Sequence, residues 1–150
     1  VILATSMAGS FVGATVAPRL RRAAAEEKIL IGSLALVFGT GVFSGWFGGR
    51  PALAALAGAL GIAASTGKLA FDSIVQRDAP DAVWGRTFAR YETRFQLVWV
   101  LAAAIPVVIP IPSTIGMLVI AVACGVALVT YVGGLSAAHR ASTVGGESVR

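Results

Sequence analysis

The amino-acid sequence predicts an all-α integral membrane protein, a bundle of about five transmembrane helices. Apolar residues make up 57% of the 150 residues and charged residues only 13%, and the mean hydropathy is +0.84. A soluble domain usually carries about a quarter charged residues, because its surface faces water. The few charges of this chain fall in short stretches between long uncharged runs. This pattern is typical of a protein whose side chains mostly face hydrocarbon.

Five apolar runs have, or nearly have, the length that a bilayer requires. A hydrocarbon core about 30 Å thick takes roughly 20 helical residues at a rise of about 1.5 Å each. The predicted spans cover residues 1–17, 29–47, 52–75, 95–109 and 113–135. Together they form a membrane helix bundle over residues 1–135, and a polar cytoplasmic tail follows over residues 136–150.

The basic residues between the spans predict how the bundle is oriented. The connections 18–28 and 76–94 hold four basic residues each, whereas the turn after the second span holds only Arg50. Basic residues concentrate in the cytoplasmic loops of membrane proteins. The connections 18–28 and 76–94 and the C-terminal tail are therefore predicted to be cytoplasmic, in a multi-pass protein of the cell membrane.

The first apolar run is predicted to be a membrane helix rather than a signal peptide. A signal peptide carries its basic residues before the apolar stretch, but here Arg19 and its neighbours follow it. The chain opens directly in this run at Val1, without a methionine, and we expect it to be a fragment of a longer protein with its first residue outside the cell.

Several classes of function have no support in the sequence. A pI near 10.4 is compatible with nucleic-acid binding, but the basic residues flank apolar runs and form no polar, aromatic-interleaved face, so no nucleic-acid partner is expected. His139, the only histidine, lies in the polar tail, and no serine has a plausible catalytic partner. We therefore expect no enzyme activity.

Cofactor and metal sites are not expected either. Cys124 is the only cysteine and lies within an apolar run, which favours a small buried side chain over a disulfide or zinc site. Ser65-Thr66-Gly67-Lys68 lacks the earlier glycine of a phosphate-binding loop. If the protein moves a solute, the driving energy comes from another source than ATP.

Lys68 and Asp72 are charged residues within the third span, and they are the first candidates for transport or gating. Their spacing of four places them on one helix face. Charge at the centre of a bilayer costs roughly 2.5–3.5 kcal/mol, and it often marks a solute or ion pathway. The pair lies near the cytoplasmic end, where lysine reaches the surface, which favours a structural role as an anchor of the helix end or a bond to neighbouring helices over an ion or substrate relay. Gln96, a third candidate, favours an interhelical hydrogen bond.

The segment 76–94 combines acidic residues with a basic, aromatic stretch. Asp78 or Asp81 is predicted to accept backbone hydrogen bonds at a helix start that precedes the bilayer. Arginines at positions 86, 90 and 94 repeat every four residues and so share one face, which suits lipid phosphates or a neighbouring cytoplasmic loop.

Small residues and prolines predict how the spans pack and turn. Gly9 and Gly13 form a GxxxG arrangement in the first span, and glycines and alanines recur in the third span, which favours close helix packing. Pro106 is predicted to kink the fourth span, and two further prolines are predicted to shape a tight extracellular turn.

Two cytoplasmic segments resemble those of the major facilitator superfamily of transporters. In that family the loop after the second helix of each half carries a signature of the form G-x-x-x-x-D-R-x-G-R-R. The stretch from Gly13 to Arg22 is similar to it and occupies the same place. Pro18 stands where the family has its acid, and Arg21 stands where the family has a glycine.

The second similar segment runs from Gln76 to Ala89. It resembles the family's cytoplasmic loop between the tenth and eleventh helices, which often has a proline and an acid followed by Arg-Gly-Arg. Gly85 and Arg86 match the end of that triplet, and Trp84 replaces its first arginine. The resemblance covers almost the whole chain, as helices eight to twelve of twelve.

The resemblance implies alternating access, in which two six-helix halves rock about a solute site near the bilayer midplane. The chain would then be part of one six-helix half, with the lipid bilayer, the missing N-terminal half and an unknown small-molecule solute as partners. The resemblance places the gate in the cytoplasmic segments, whose candidate residues are Arg19, Arg21, Arg22, Arg77, Asp78, Asp81, Gly85 and Arg86.

Three functions are compatible with these observations. A fragment of a secondary active transporter agrees with the spans, the charge alternation and both loop patterns. A stand-alone structural or assembly membrane protein without transport activity agrees with the glycine faces and with the lack of catalytic residues. A membrane-embedded enzyme needs convergent polar residues at one depth, and only Lys68 and Asp72 offer any.

Overall fold

The structure, a computed structural model, describes residues 1–78 and 84–147. Over these residues it consists of five α-helices joined by short connections. The helices are α1 (Ile2–Ala23), α2 (Glu26–Phe47), α3 (Gly49–Asp78), α4 (Trp84–Val108) and α5 (Ser113–Glu147). The all-helical prediction is confirmed for this part of the chain.

The helices extend beyond the apolar runs that predicted them. The connection predicted over 18–28 is helical except at Ala24 and Ala25, because α1 continues through Pro18 and the arginines that follow it. The predicted polar tail continues α5 as far as Glu147. Hydropathy locates the hydrocarbon, but backbone hydrogen bonds continue a helix into the polar region as long as no residue interrupts them.

The prediction that Asp78 starts a helix is wrong. Asp78 is the last residue of α3, which continues beyond its apolar run, and α4 begins only at Trp84. The second cap candidate, Asp81, lies outside the described residues. A carboxylate two residues before a proline is compatible with a helix end as well as a helix start, so the residue types alone did not decide between them.

Three helices of the described chain are long and apolar enough to cross a membrane. They are Glu26–Phe47, Gly49–Arg77 and Ser113–Ala137. The helices α1 and α4 fall short of this requirement, since charged residues occupy the end of α1 and the first turns of α4. The structure therefore supports a membrane protein with three candidate spans among the described helices.

The helices pack side by side around α3. Helix α3 lies between α1 and α2, and α2 lies between α3 and α5. Helix α4 stands apart from this row and reaches it mainly through side chains near Lys68. The order across the bundle is therefore α1, α3, α2 and α5. Helix α3 makes more contacts with other helices than any other described helix.

Glycines bring the backbones of α1 and α3 into direct contact. A Cβ atom added to Gly9 would meet the carbonyl group of Gly58, and one added to Gly61 would lie 2.7 Å from the backbone nitrogen of Ser10. Gly13 approaches Ile62 in the same way. Because no side chain separates the two helices, van der Waals contact is extensive without any help from the hydrophobic effect. The predicted close packing is confirmed.

Hydroxyl groups join α2 to α3 in the interior. Ser33 and Thr66 are buried, and their hydroxyl oxygens lie 3.0 Å apart. Near the other end, the Ser44 hydroxyl donates a hydrogen bond of 2.9 Å to the carbonyl of Ala52. The connection between the two helices is Gly48, whose φ of +64° lies in a region that residues with a Cβ rarely adopt. The pair is thus a tight helical hairpin.

The apolar core lies between α2, α3 and α5. Val37, Leu56 and Met117 are each almost fully buried there, one from each helix. Cys124 packs against this cluster as a half-buried side chain. Elsewhere many large apolar side chains face outward, such as Trp99 on α4, which is 68% exposed. Such an apolar exterior is expected when lipid or further helices surround the bundle.

We predict that Gly61→Ala destabilises the bundle, whereas Gly32→Ala does not. The new methyl group at position 61 would overlap the backbone of α1, while nothing lies within 4 Å of the corresponding position at Gly32. Overpacking of this kind typically costs about 1–3 kcal/mol. Thermal unfolding in detergent, followed as loss of the monodisperse peak in size-exclusion chromatography, measures the difference. Equal transition temperatures would show that the α1–α3 contact is looser than described.

Candidate functional site

The candidate site lies on α3, on the side that faces α4. Lys68 is nine residues before Arg77 and eighteen residues after Arg50, and these two arginines flank the apolar part of the helix. At a rise of about 1.5 Å per residue, Lys68 is about 14 Å from one arginine and about 27 Å from the other. Its charge is therefore well inside the predicted span, nearer the end that the sequence predicts to be cytoplasmic.

Lys68 forms ion pairs with carboxylates on two helices. Its Nζ atom lies 3.4 Å from Oδ2 of Asp72 on the next turn of α3 and 3.0 Å from Oε2 of Glu92 on α4. The pairing of Lys68 with Asp72 confirms the shared helix face that the spacing predicted. The contact with Glu92 adds a bridge between helices, which stabilises charges in a segment poor in water.

Gln96 also belongs to this cluster, but not in the predicted way. Its amide nitrogen donates a hydrogen bond of 3.1 Å to Oε1 of Glu92, one turn earlier on the same helix. The predicted interhelical hydrogen bond is wrong, because the hydrogen-bond partner of Gln96 in the structure lies on its own helix. Gln96 instead orients the carboxylate that receives Lys68, so the Lys68–Glu92 bridge is held in place from the α4 side.

The bridge lowers the pKa of Glu92 below its ordinary value. The main cause is the hydrogen bond from Lys68, and the hydrogen bond from Gln96 acts in the same direction. A lowered pKa keeps this carboxylate ionised at neutral pH. The contact with Lys68 is thus present above the ordinary pKa of a glutamate, about 4.3, and is lost only as the pH falls through the lowered value.

Aromatic side chains surround the charged cluster and line a cavity of about 430 Å³ between α3 and α4. The edge of one ring meets the face of another between Phe71 and Tyr91, whose centroids are 5.6 Å apart. Lys68 lies over Phe95, with Nζ 5.7 Å from the ring centroid. Phe88 and Trp99 complete the aromatic lining. A second cavity of about 470 Å³, towards α1, shares the Lys68 and Asp72 side chains.

A second polar network joins three helix ends. Arg21 at the end of α1 donates a hydrogen bond of 2.7 Å to the hydroxyl of Ser73 on α3. Arg77 on α3 pairs with Glu26 at 3.5 Å and with Glu27 at 2.8 Å, both in the first turn of α2. Carboxylates at a helix start also interact favourably with its dipole. The network holds together the ends that the sequence predicts to be cytoplasmic.

The remaining predicted loop residues are not brought into either cluster. Arg19 and Arg22 are exposed at the end of α1, and Gly85 and Arg86 are exposed in the first turn of α4. Asp81 lies outside the described residues, and Asp78 is placed only as the end of α3. The structure thus joins Arg21 and Arg77 to partners and leaves the gating roles of the whole set as predictions.

Sequence reasoning missed the acidic partners. Glu92 receives Lys68, and Glu26 and Glu27 receive Arg77. Each had a signal in the sequence: Glu92 is four residues before Gln96, and the two glutamates follow an arginine cluster at a helix start. The signals identify helix faces, but they do not tell which face meets which helix, because that depends on long-range packing.

The described residues contain no group of three or more histidine, cysteine, aspartate or glutamate side chains placed to hold a metal ion. The arrangement at Lys68 suits instead the binding of a small molecule with an apolar body and a charged group. Comparison with family models, with curated proteins and with solved structures finds no match for this chain.

We predict that the Lys68–Glu92 bridge holds α4 against α3. In a Cys124→Ala background, cysteines replacing Phe71 and Tyr91 should be joined by a short bis-maleimide cross-linker, since these side chains are in contact across the two helices and the linker spans the space that the two rings fill. Adding Lys68→Glu or Glu92→Lys should slow cross-linking severalfold, because each single change places like charges together. The cross-linked fraction over time, followed by gel shift, measures the rate.

The charge swap is the control for this prediction. Lys68→Glu combined with Glu92→Lys restores opposite charges across the interface and should restore much of the rate. If both single variants are cross-linked as fast as the parent, the bridge does not hold the helices together.

Proposed function

We propose that the chain is part of a secondary active transporter that moves a small solute across the cell membrane by alternating access. The cavity at Lys68 contributes to its solute site. The single observation that carries the proposal is the ion bridge between α3 and α4 beside an aromatic cavity, with Lys68 on a helix long and apolar enough to span a bilayer. Charge at such a depth is costly, which makes a functional role the default interpretation.

The build of the bundle supports the same proposal. Helices α1, α2, α3 and α5 pack as one row, while α4 is attached by polar and aromatic side chains. A helix held by ion pairs can separate and return at a smaller cost than one held by extensive packing, because water and ions can replace its partners. An element of this kind beside a cavity suits a site that opens and closes.

The proposed topology follows from the charges at the helix ends. Helices α1 and α4, although less apolar than the other three, complete a five-span bundle in which the arginine-rich ends lie in the cytoplasm. In that arrangement the network of Arg21, Ser73, Arg77 and the α2 glutamates lies at the cytoplasmic surface. The outward-facing apolar side chains of α4 and α5 meet lipid and the other half of the transporter.

The stand-alone structural protein remains the competing proposal, because the glycine contact between α1 and α3 serves a rigid assembly equally well. The two proposals differ in what they expect of the cavity. A transporter exposes it to the two sides of the membrane in turn, whereas a structural protein exposes it to one side or to none.

We predict that a cysteine at Ala64, which lines both cavities, is labelled from either side of the membrane in turn. The experiment uses the full-length protein with Cys124→Ala in sealed vesicles of each orientation, and a membrane-impermeant maleimide. Prior blocking from one side should prevent later labelling from the other, because the same thiol is reached alternately. Labelling from one side alone, in every condition tested, would refute transport and favour the structural protein.

A cysteine at Val119 is the matched control. Val119 is exposed on α5, away from both cavities, and in the proposed topology it faces lipid. It should resist the charged maleimide from both sides, since a thiol in hydrocarbon is neither ionised nor accessible to a polar reagent.

The proposed orientation leads to a separate prediction. A cysteine at Ile111, in the connection between α4 and α5, should react with the maleimide from the outside of intact cells. A cysteine at Ala23, at the end of α1, should react only after the cells are opened. The reverse result would overturn the orientation without affecting the fold.

A further inference from the structure

The cavity at Lys68 has an excess of negative charge and an apolar aromatic wall. Asp72 and Glu92 each contribute one negative charge, and Lys68 contributes one positive charge, which leaves the cluster with a formal charge of one negative. The surroundings are rings and small apolar side chains from both helices. A site with an uncompensated charge in apolar surroundings favours a ligand that supplies the opposite charge.

The side chain of Lys68 itself shows where a positive charge is stabilised. Its Nζ atom lies between the two carboxylates and over the ring of Phe95, at 5.7 Å from the centroid. The face of an aromatic ring attracts cations electrostatically, more strongly where water is excluded. The cavity thus already contains the two kinds of group, carboxylate and ring face, that recognise an organic ammonium or phosphonium ion.

The two carboxylates differ in how fully they are engaged. Glu92 accepts hydrogen bonds on both oxygens, from Lys68 on Oε2 and from Gln96 on Oε1. The ion pair of Asp72 with Lys68 uses Oδ2 at the longer distance of 3.4 Å. Lys68 and Glu92 therefore neutralise each other more closely, and the remaining negative charge belongs mainly to Asp72.

We propose that this cavity binds a lipophilic organic monocation, with Asp72 as the counter-ion and the aromatic side chains as the wall for its apolar body. The proposal rests on the transport function above and names the solute class of the same site. A volume of about 430 Å³ is suited to a small drug-sized molecule. An organic anion would meet two carboxylates for one ammonium, and a neutral solute would leave the net negative charge of the cluster uncompensated.

The test compares two ions of the same shape and opposite charge. Tritiated tetraphenylphosphonium and tetraphenylborate are each equilibrated with the full-length protein in detergent, and bound ion is measured by equilibrium dialysis against protein-free micelles. The phosphonium should bind saturably, and unlabelled phosphonium should displace it. Saturable binding of the borate at equal or higher affinity would overturn the proposal.

The proposal requires that the affinity for the phosphonium ion follow the charge at position 72. Asp72→Asn should weaken phosphonium binding about tenfold or more, as expected for loss of a charge pair worth about 1.4 kcal/mol, whereas Asp72→Glu should restore most of it. Arg50→Gln, which removes one charge about 27 Å from Lys68 along α3, should have little effect.

Recovery of binding in Asp72→Glu separates a loss of charge from a loss of fold. Native-like binding by Asp72→Asn, or a loss of binding as large in Asp72→Glu as in Asp72→Asn, would overturn the proposal. If the phosphonium ion binds and its affinity depends on the charge at position 72, but a cysteine at position 64 is labelled from one side only, the binding site is supported and transport is refuted. Alternating labelling without phosphonium binding would retain transport and refute the monocation class.

Discussion

The structure depends on the close approach of α3 to its neighbours. On one side, glycines let the backbone of α3 touch that of α1, and on the other side hydroxyl groups and a tight turn join it to α2. In hydrocarbon, apolar side chains gain little free energy by packing against one another instead of against lipid. Contact distance and satisfied polar groups therefore decide which helices associate. Every buried side-chain nitrogen and oxygen of the described residues has a hydrogen-bond partner.

Helix α4 obeys a different constraint from the other four. Its apolar half has few contacts with the row, and its polar half is attached through Glu92 to Lys68 and through Tyr91 to Phe71. The charged side chains on both sides of this interface are partly accessible, so the attraction between them is screened to some degree and their net contribution to stability is modest. Helix α4 is consequently the least firmly held helix of the described bundle. It also forms one wall of both cavities.

The sequence predicted the kind of protein better than the boundaries of its elements. Five helical segments and the glycine contact follow from apolar runs and small-residue spacing, both of which are local patterns. The helix ends were misplaced, as at Asp78, because charge marks the edge of the hydrocarbon and not the end of backbone hydrogen bonding. Of the described helices, α2, α3 and α5 are long and apolar enough to cross a membrane, and the charged ends of α1 and α4 keep those two below the same requirement.

The candidate site was predicted in part for the same reason. Lys68 and Asp72 were found because their spacing within one helix is enough to bring them together. Glu92 was not found, since its role arises only when α4 packs on α3, twenty-four residues further along the chain. Gln96 was chosen for its polarity, and its actual partner is the missed Glu92. Local periodicity thus gave one half of the cluster, and tertiary contact gave the other.

The hairpin at Gly48 has a consequence for how the bundle can move. Gly48 and Gly49 both have positive φ, and the Ser44 hydroxyl donates a hydrogen bond across the turn to the carbonyl of Ala52. The link between α2 and α3 is therefore short and rigid. Any displacement of α3 is passed to α2, and through the shared core to α5. The four packed helices therefore move as one rigid body, and a change in cavity shape comes from movement of α4.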